Sequence, residues 1–320
     1  MTQDTRSYQD APRTNGINGV AKASATAPPL STSTSARNPP HRRKLPDICY
    51  TLRRKLIALV EEQTDDLVLR GVQDQARVSM RIIEEAIRKY EPEELSLAYN
   101  GGKDCLVLLV LILACLPSAA SESSPSASQP TSSSSPLSPT PPEQSDFKTA
   151  NQPGSKPPPL SEPPQPLQAI YIAPPDPFPE VEDFVAASTV TYHLDLSRYA
   201  LPMRPALEAY LSSRTAVKAI FMGTRRTDPH SEFLEHFSPT DKDWPQFMRV
   251  NPVIDWHYTE IWTFIRHMGI PFCSLYDRGF SSLGGMSNTR PNPALAVDGD
   301  GFKPAYELVR DDEERLGRDR

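Results

Sequence analysis

The sequence predicts an α/β fold, a mostly parallel sheet with helices on both faces. Three observations predict it. Short apolar runs of strand length alternate along the chain with longer segments of helical period, the pattern of strand–helix–strand crossovers. The run Leu95–Tyr99 stops at Asn100-Gly101-Gly102, and an apolar stretch of helical length, Leu106–Leu111, comes directly after. Each polar motif further along follows a predicted strand, so a parallel sheet would gather them at the carboxyl ends of its strands, where such folds keep their ligands.

The elements run in order. Leu52, Leu56 and Leu59 share one helical face. A second helix runs from Leu67 to Tyr90, with Val72, Ala76, Met80, Ile83, Ile87 and Tyr90 at spacings of 4, 4, 3, 4 and 3, and Pro92 ends it. Strand one is Leu95–Tyr99, a helix spans 103–116, and strand two is Ala169–Ile172. Asp176–Val185 reads as a turn leading into a helix, and Val190–Asp195 as strand three. Pro202–Ser212 is a helix with proline at its start, where the missing N–H costs nothing. Ala219–Met222 is strand four, and Val250–Ile254 a short strand or extended segment. Tyr258–Met268 is a helix whose apolar face carries Ile261, Trp262, Ile265 and Met268. The chain shows no internal repeat.

Two stretches are predicted to stay disordered. Residues 1–46 are rich in Ser, Thr, Ala, Asn and Pro, and Pro117–Leu167 holds 14 Pro and 14 Ser in 51 residues. Neither buries enough apolar surface to offset its ordering entropy. The remainder, about 220 residues, suits one domain spanning 47–320 with 117–167 as an insertion in a surface loop, since lengthening a loop costs only logarithmically.

Cys49, Cys105, Cys115 and Cys273 form no C-x-x-C pair, which argues against a zinc site or disulfide framework and suits a reducing compartment. The expected location is cytoplasmic, with a mitochondrial one also open. A formal charge of −6 gives no general pull toward nucleic acid. No apolar run is long enough to span a bilayer, and no secretory signal pattern is seen, so neither nucleic acid nor membrane is an expected partner.

The turn at 100–102 carries the first chemical signal. A helix start gathers unpaired N–H groups and the positive end of the helix dipole, and two glycines let the backbone approach an anion closely. Asp104, in the first helical turn, is placed to hold magnesium against bound phosphates, or merely to compensate the dipole. The P-loop pattern and G-x-G-x-x-G are both absent. Gly223-Thr224-Arg225-Arg226-Thr227-Asp228-Pro229 comes after strand four, and arginines there suit an anionic ligand. In Arg249–Trp256, Asp255 reads as a helix cap and Arg249 as a surface charge, while Trp262 reads as core. Tyr276–Gly285 and Asn288–Leu295 stay ambiguous between ordered loop and tail. The mixed charge run at the C-terminus reads as a solvated helix face on which Arg315 and Arg318, three apart, lie side by side. His230 and His236 form no metal spacing, and no G-x-S-x-G elbow occurs.

Together the motifs Ser96–Cys105, Gly223–Pro229, Asn251–Trp256 and Ser282-Leu283-Gly284, in that order, resemble those of fungal-type FAD synthases, FMN adenylyltransferases related to 3′-phosphoadenylyl-sulfate reductases. The resemblance covers residues 48–115 and 168–320. It implies an adenine-nucleotide α-hydrolase-like fold and a magnesium-dependent reaction of ATP with FMN giving FAD and pyrophosphate. It implies that Asn100, Gly101, Gly102 and Asp104 hold the ATP phosphates, with Asp104 on the metal. Asp228, with Arg225 or Arg226, would belong to the flavin and phosphate pocket, and Arg315 and Arg318 would act near the reacting phosphates. Tyr99, Lys103, Gly223, Trp256, Ser282, Leu283 and Gly284 complete the expected binding set. Two features depart from the family: the length of the insertion, and Arg226 where some relatives carry His.

The reaction so implied needs no protein nucleophile. The FMN phosphate is ionised near neutral pH, so the protein's work is alignment and charge cancellation. A monomer is expected, with apo-flavoproteins as recipients of the product. Two other readings stay open. One is sulfonucleotide reduction, for which the sequence lacks the Cys-Gly-Leu-His-type motif. The other is a non-catalytic nucleotide- or flavin-binding protein whose Pro-rich insertion docks an SH3- or WW-like partner.

Overall fold

The computed structural model describes residues 43–116, 164–299 and 301–319, so the expected disordered arm and insertion lie outside the described residues except at their last positions. Two of those positions, Leu45 and Pro46, already belong to helix α1 (Leu45–Glu61), which starts just ahead of the expected boundary at 47. Then come α2 (Leu67–Lys89), β1 (Leu95–Ala98), α3 (Lys103–Cys115), β2 (Gln168–Ile172), α4 (Pro179–Tyr192) and β3 (Asp195–Tyr199). The chain continues with α5 (Met203–Ser213), β4 (Ala219–Phe221), β5 (Phe237–Pro239), β6 (Met248–Val250) and α6 (Tyr258–Met268), and ends in short 3-10 turns.

The strands form one sheet in the order β3-β2-β1-β4-β6-β5. All neighbours are parallel except β5 and β6. Side chains alternate between the two faces, as a pleated strand requires. Leu95, Leu97, Ala169, Tyr171, Ala219 and Phe221 enter the larger core, while Ile170 and Ile220 enter a smaller one closed by Leu207 and Tyr210 of α5. The expected cover on both faces is therefore present, but uneven. On the larger side α3 is buried all round, with Leu106–Leu111 fully sequestered. Such a helix must be sandwiched, and here α1, α2 and α6 pack over it.

This topology puts the switch point of the sheet between β1 and β4. The chain leaves β1 for β2 on one side and later returns to β4 on the other, so the loops after these two strands diverge and leave a crevice at their carboxyl ends. Gly223, just after β4, closes the base of that crevice. A Cβ there would lie 2.8 Å from the backbone nitrogen of Cys105 and 2.9 Å from its Cα, so loop and helix touch backbone to backbone.

Two elements differ from expectation. Val190, Thr191 and Tyr192 end α4 instead of forming a strand, and β3 starts three residues after Tyr192. β-Branched and aromatic residues favour strands locally, but Val181, Val185, Ser188 and Tyr192 keep a helical spacing of buried positions that tertiary packing enforces. His193 then stops the helix in a left-handed conformation, φ 53°. β3 is a half-exposed edge strand, so it carries little apolar signal. The sixth strand also comes earlier than expected, and Asn251–Asp255 is a turn. His257, not Asp255, caps α6.

The Gly223 contact yields a direct expectation. Gly223→Ala forces two backbones apart and costs about 1–3 kcal/mol by overpacking. Urea denaturation of the variant should show a lower midpoint with an unchanged slope.

Candidate active site

The turn after β1 is built by its own side chains. Gly101 takes φ 73°, and a Cβ there would lie 2.8 Å from Val185 Cγ2. Asn100 Oδ1 accepts the Gly102 N–H at 2.9 Å, and the Cys105 thiol donates to the same oxygen at 2.8 Å. The start of α3 leaves four amides without intrahelical acceptors. Gly102's goes to Asn100, and the buried Tyr276 hydroxyl accepts that of Lys103 at 2.9 Å. Of the other two, the Asp104 amide is taken up by its own carboxylate and that of Cys105 lies against the Gly223 backbone.

Lys103 does not reach toward a ligand. Its side chain is 2% exposed and points into a buried cluster of four charges. Lys103 Nζ lies 2.9 Å from Asp104 Oδ2 and pairs with Glu314 Oε1. Arg225, which is fully buried, pairs through Nη2 with Glu314 Oε2, and its Nε lies 2.7 Å from Asp104 Oδ1. That last contact lacks hydrogen-bond alignment, so Asp104 Oδ1 has no aligned donor among the described residues. Two cations and two carboxylates balance. Burial alone would depress the Lys103 pKa, but the Asp104 and Glu314 carboxylates outweigh it and hold it above its ordinary value. Burial likewise opposes ionisation of Asp104, and Arg225 and Lys103 reverse the effect, holding its carboxyl below the usual range.

The loop after β4 folds around Asp228. Its Oδ2 accepts the Arg225 N–H at 2.9 Å, and its Oδ1 lies 3.6 Å from Arg315 Nη1. Asp104, Arg225, Asp228 and Arg315 thus form a continuous path from the β1 turn to the tail. Arg318 lies over the glycine loop: its Nη1 donates to Leu283 O at 2.8 Å and sits 3.5 Å from Ser282 Oγ. A Cβ on Gly284 would collide with the same guanidinium. Arg318 Nε has no acceptor among the described residues. Burial and the neighbouring Arg315 charge lower the Arg318 pKa.

Besides Lys103, three expected binding residues are placed elsewhere. Trp256 is 1% exposed, donates from Nε1 to Ser79 Oγ at 2.9 Å and packs edge-on to Phe264, so it is core. The Tyr99 ring is buried as well, with its hydroxyl on Ser188. Arg226 turns away from Arg225: it pairs with Asp255 at 2.6 Å and donates to the carbonyls of Glu232 and Leu234. The tail is no solvated helix either. It runs through turns, and Glu314 is 5% exposed.

Sequence reasoning missed Glu314, Tyr276, Asn292 and Asp311. Asn292 Nδ2 donates to Ser281 Oγ at 2.7 Å and to Glu313 O at 2.8 Å, which seats the tail on the 281–292 loop. Asp311 accepts the Tyr258 N–H at 2.6 Å and lies 2.6 Å from His257 Nδ1, anchoring the tail at the start of α6. The one available signal was the position of Glu314, directly before Arg315.

Comparison with known proteins fits this geometry. The phosphoadenosine phosphosulfate reductase domain family matches residues 200–291. The chain is 38% identical over 248 residues to the probable FAD synthase of Schizosaccharomyces pombe, covering 78% of this chain and 80% of that protein. The chain belongs to the FAD synthase family. The flavin adenine dinucleotide synthase of Saccharomyces cerevisiae is 30% identical over 264 residues, 80% of this chain and 77% of its own length. Among solved structures, Candida glabrata FMN adenylyltransferase in complex with FAD and inorganic pyrophosphate is similar with a TM-score of 0.70 and 26% identity, over 86% of this chain and 97% of that one. The same values hold for that enzyme with FMN and the ATP analogue AMPCPP.

In this member of the FAD synthase family the charge cluster and the Asp311 anchor of the tail each set a measurable expectation. Arg225→Met leaves two buried carboxylates sharing one lysine and costs roughly 3–5 kcal/mol, read as a lower urea midpoint. His257 is raised above its ordinary pKa of 6.5, chiefly by its hydrogen bond to Asp311. A raised pKa stabilises the fold at low pH, and the contribution is lost as pH rises through the raised value. The Tm difference between the wild type and His257→Ala should therefore be full below pH 6.5 and shrink above the raised value; a difference that widens with pH would contradict it.

Proposed function

We propose that this chain is an FMN adenylyltransferase, converting ATP and FMN to FAD and pyrophosphate. The observation that carries the reading is the continuous path Asp104–Arg225–Asp228–Arg315 across the switch point of the sheet. It links the start of α3, the loop after β4 and Arg315 of the tail.

The chemistry is a consequence of that arrangement. The start of α3 turns the positive end of its helix dipole toward phosphate oxygens. Arg315 and Arg318 supply positive charge that the balanced cluster does not. The FMN phosphate, ionised near neutral pH, attacks the α-phosphorus of ATP; that P–O bond forms as the bond to pyrophosphate breaks, and the electron pair leaves with pyrophosphate. No side chain takes the proton or forms an intermediate. Aligning the two anions is worth roughly 7–11 kcal/mol in well-oriented systems. Asp104 would hold magnesium through Oδ1 by giving up its unaligned contact with Arg225 Nε, since magnesium is commonly held by one or two carboxylates plus substrate phosphates. When bound, magnesium withdraws charge from the phosphates it touches.

The reductase alternative is disfavoured by its thiols. All four cysteines are buried and unpaired. Burial pushes Cys49, Cys105 and Cys115 up to about 12 and raises Cys273 as well, the reverse of an activated thiolate. The same free cysteines suit the cytoplasm. On this reading the chain acts as a monomer whose product passes to apo-flavoproteins.

The test is turnover. Incubation with ATP, magnesium and FMN should yield FAD in step with pyrophosphate. Asp104→Asn keeps shape but leaves Lys103 and Arg225 on one carboxylate, so Tm falls; at a temperature where circular dichroism shows the variant folded, kcat should be at least about a hundredfold lower. Thiol-dependent sulfite release in place of FAD would refute the assignment.

A further inference from the structure

We propose that Glu314 is the positioning residue that fixes the tail arginines against the phosphate cradle; this deepens the FMN adenylyltransferase reading and rests on it. Glu314 is the one tail carboxylate whose side chain is almost wholly buried, at 6% exposure. Asp311 and Glu313 stand at 21% and 31%, and Asp312 at 68%. Both of its oxygens are used, one on Lys103 and one on Arg225. Its backbone carbonyl accepts from the Ser281 hydroxyl at 2.6 Å. The residue is therefore pinned at main chain and side chain, between the turn after β1, the loop after β4 and the 281–292 loop.

The two tail arginines inherit that placement. Arg315 is the next residue in the chain and stands 3.6 Å from Asp228. Arg318 is one turn on, with its N–H bonded to Arg315 O at 2.9 Å and its guanidinium on Leu283 O. Arg315 is 43% exposed and makes no closer ion pair among the described residues, so those contacts hold it weakly. The rigid attachment lies one residue back. Glu314 also carries half the load of two buried cations. Without it, Lys103 and Arg225 both fall on Asp104, the one remaining carboxylate of the cluster.

A purely electrostatic role and a positioning role predict opposite signs. Glu314→Gln removes one negative charge from the region, so field alone would tighten an anion. Loss of positioning would weaken it. The experiment is calorimetric titration of inorganic pyrophosphate into wild type and Glu314→Gln, with Tm recorded for both and FAD turnover measured in parallel. The expected result is about tenfold weaker pyrophosphate binding, the equivalent of one charge-assisted contact. With it, kcat should fall about a hundredfold, as displaced reacting groups produce. A merely structural role would lower Tm and the folded fraction but leave the Kd of the folded protein unchanged.

Should Glu314→Gln fail to fold, the pair Lys103→Met with Glu314→Gln restores charge balance around Asp104 and Arg225, and should still bind pyrophosphate weakly. Unchanged or tighter binding in either variant overturns the proposal. So does a wild type that binds no pyrophosphate. A wild type that binds pyrophosphate yet makes no FAD refutes the adenylyltransferase reading alone, and the Kd comparison still decides the role of Glu314.

Discussion

The site is organised by a carboxylate buried between two cations. Glu314 grips Lys103 and Arg225, and those two share Asp104, so four formal charges lie at the base of the crevice with no net excess. Such clusters rarely contribute stability overall, because removing each ion from water costs several kcal/mol that mutual attraction only repays when geometry is good. Apolar residues of equal volume would hold the fold as well. What they would not do is set angles between a helix start, a loop and a tail. The strong directional pairs lie where three separate segments of chain meet, which is where orientation matters most and packing alone specifies it least.

Much of the scaffold was legible because it derives from periodicity. α2 and α6 have clear buried faces, α3 is a continuous apolar run of helical length, and the observed bounds of all three differ from expectation by a residue or less. β1, β2 and β4 are apolar because both faces of the sheet are covered. Parallel strands put the motifs at one end of the sheet, but the adjacency of β1 and β4 that brings the Asp104 and Arg225 loops together is seen only in the structure. Strand three failed for the opposite reason. Val190-Thr191-Tyr192 has strand-like composition but serves as the last turn of α4, and the true edge strand is too exposed to show a pattern.

The site residues were legible by type more than by direction. Lys103, Arg225 and Arg226 sit in motifs that suit phosphate, and a sequence cannot say which way an arginine turns. Arg225 goes inward to Glu314, whereas Arg226 goes outward to Asp255 and two loop carbonyls. Trp256 could be core or stacking platform by composition, and Ser79, 177 residues away, decides for the core. Glu314 was obscured by its neighbours. In a run of Asp, Glu and Arg each charge looks solvated, and only the partner 211 residues away shows that one of them is not.

The balanced cluster also constrains where the attraction for substrate arises. Four charges that cancel leave little field for an incoming phosphate, so on the proposed reading the net pull falls to the helix dipole at the start of α3 and to Arg315 and Arg318. Both arginines ride on a tail fastened at several points: Asp311 on α6, Asn292 on the Glu313 carbonyl, and an antiparallel bridge between Thr289 and Arg318. Holding long cationic side chains from a fastened backbone means that their ordering entropy is spent on folding, before either nucleotide arrives. In a reaction where two anions must be brought into line and no protein group attacks, that prior ordering is the main contribution the chain can make, and it explains why so many specific hydrogen bonds are spent on a segment with no regular secondary structure beyond short 3-10 turns.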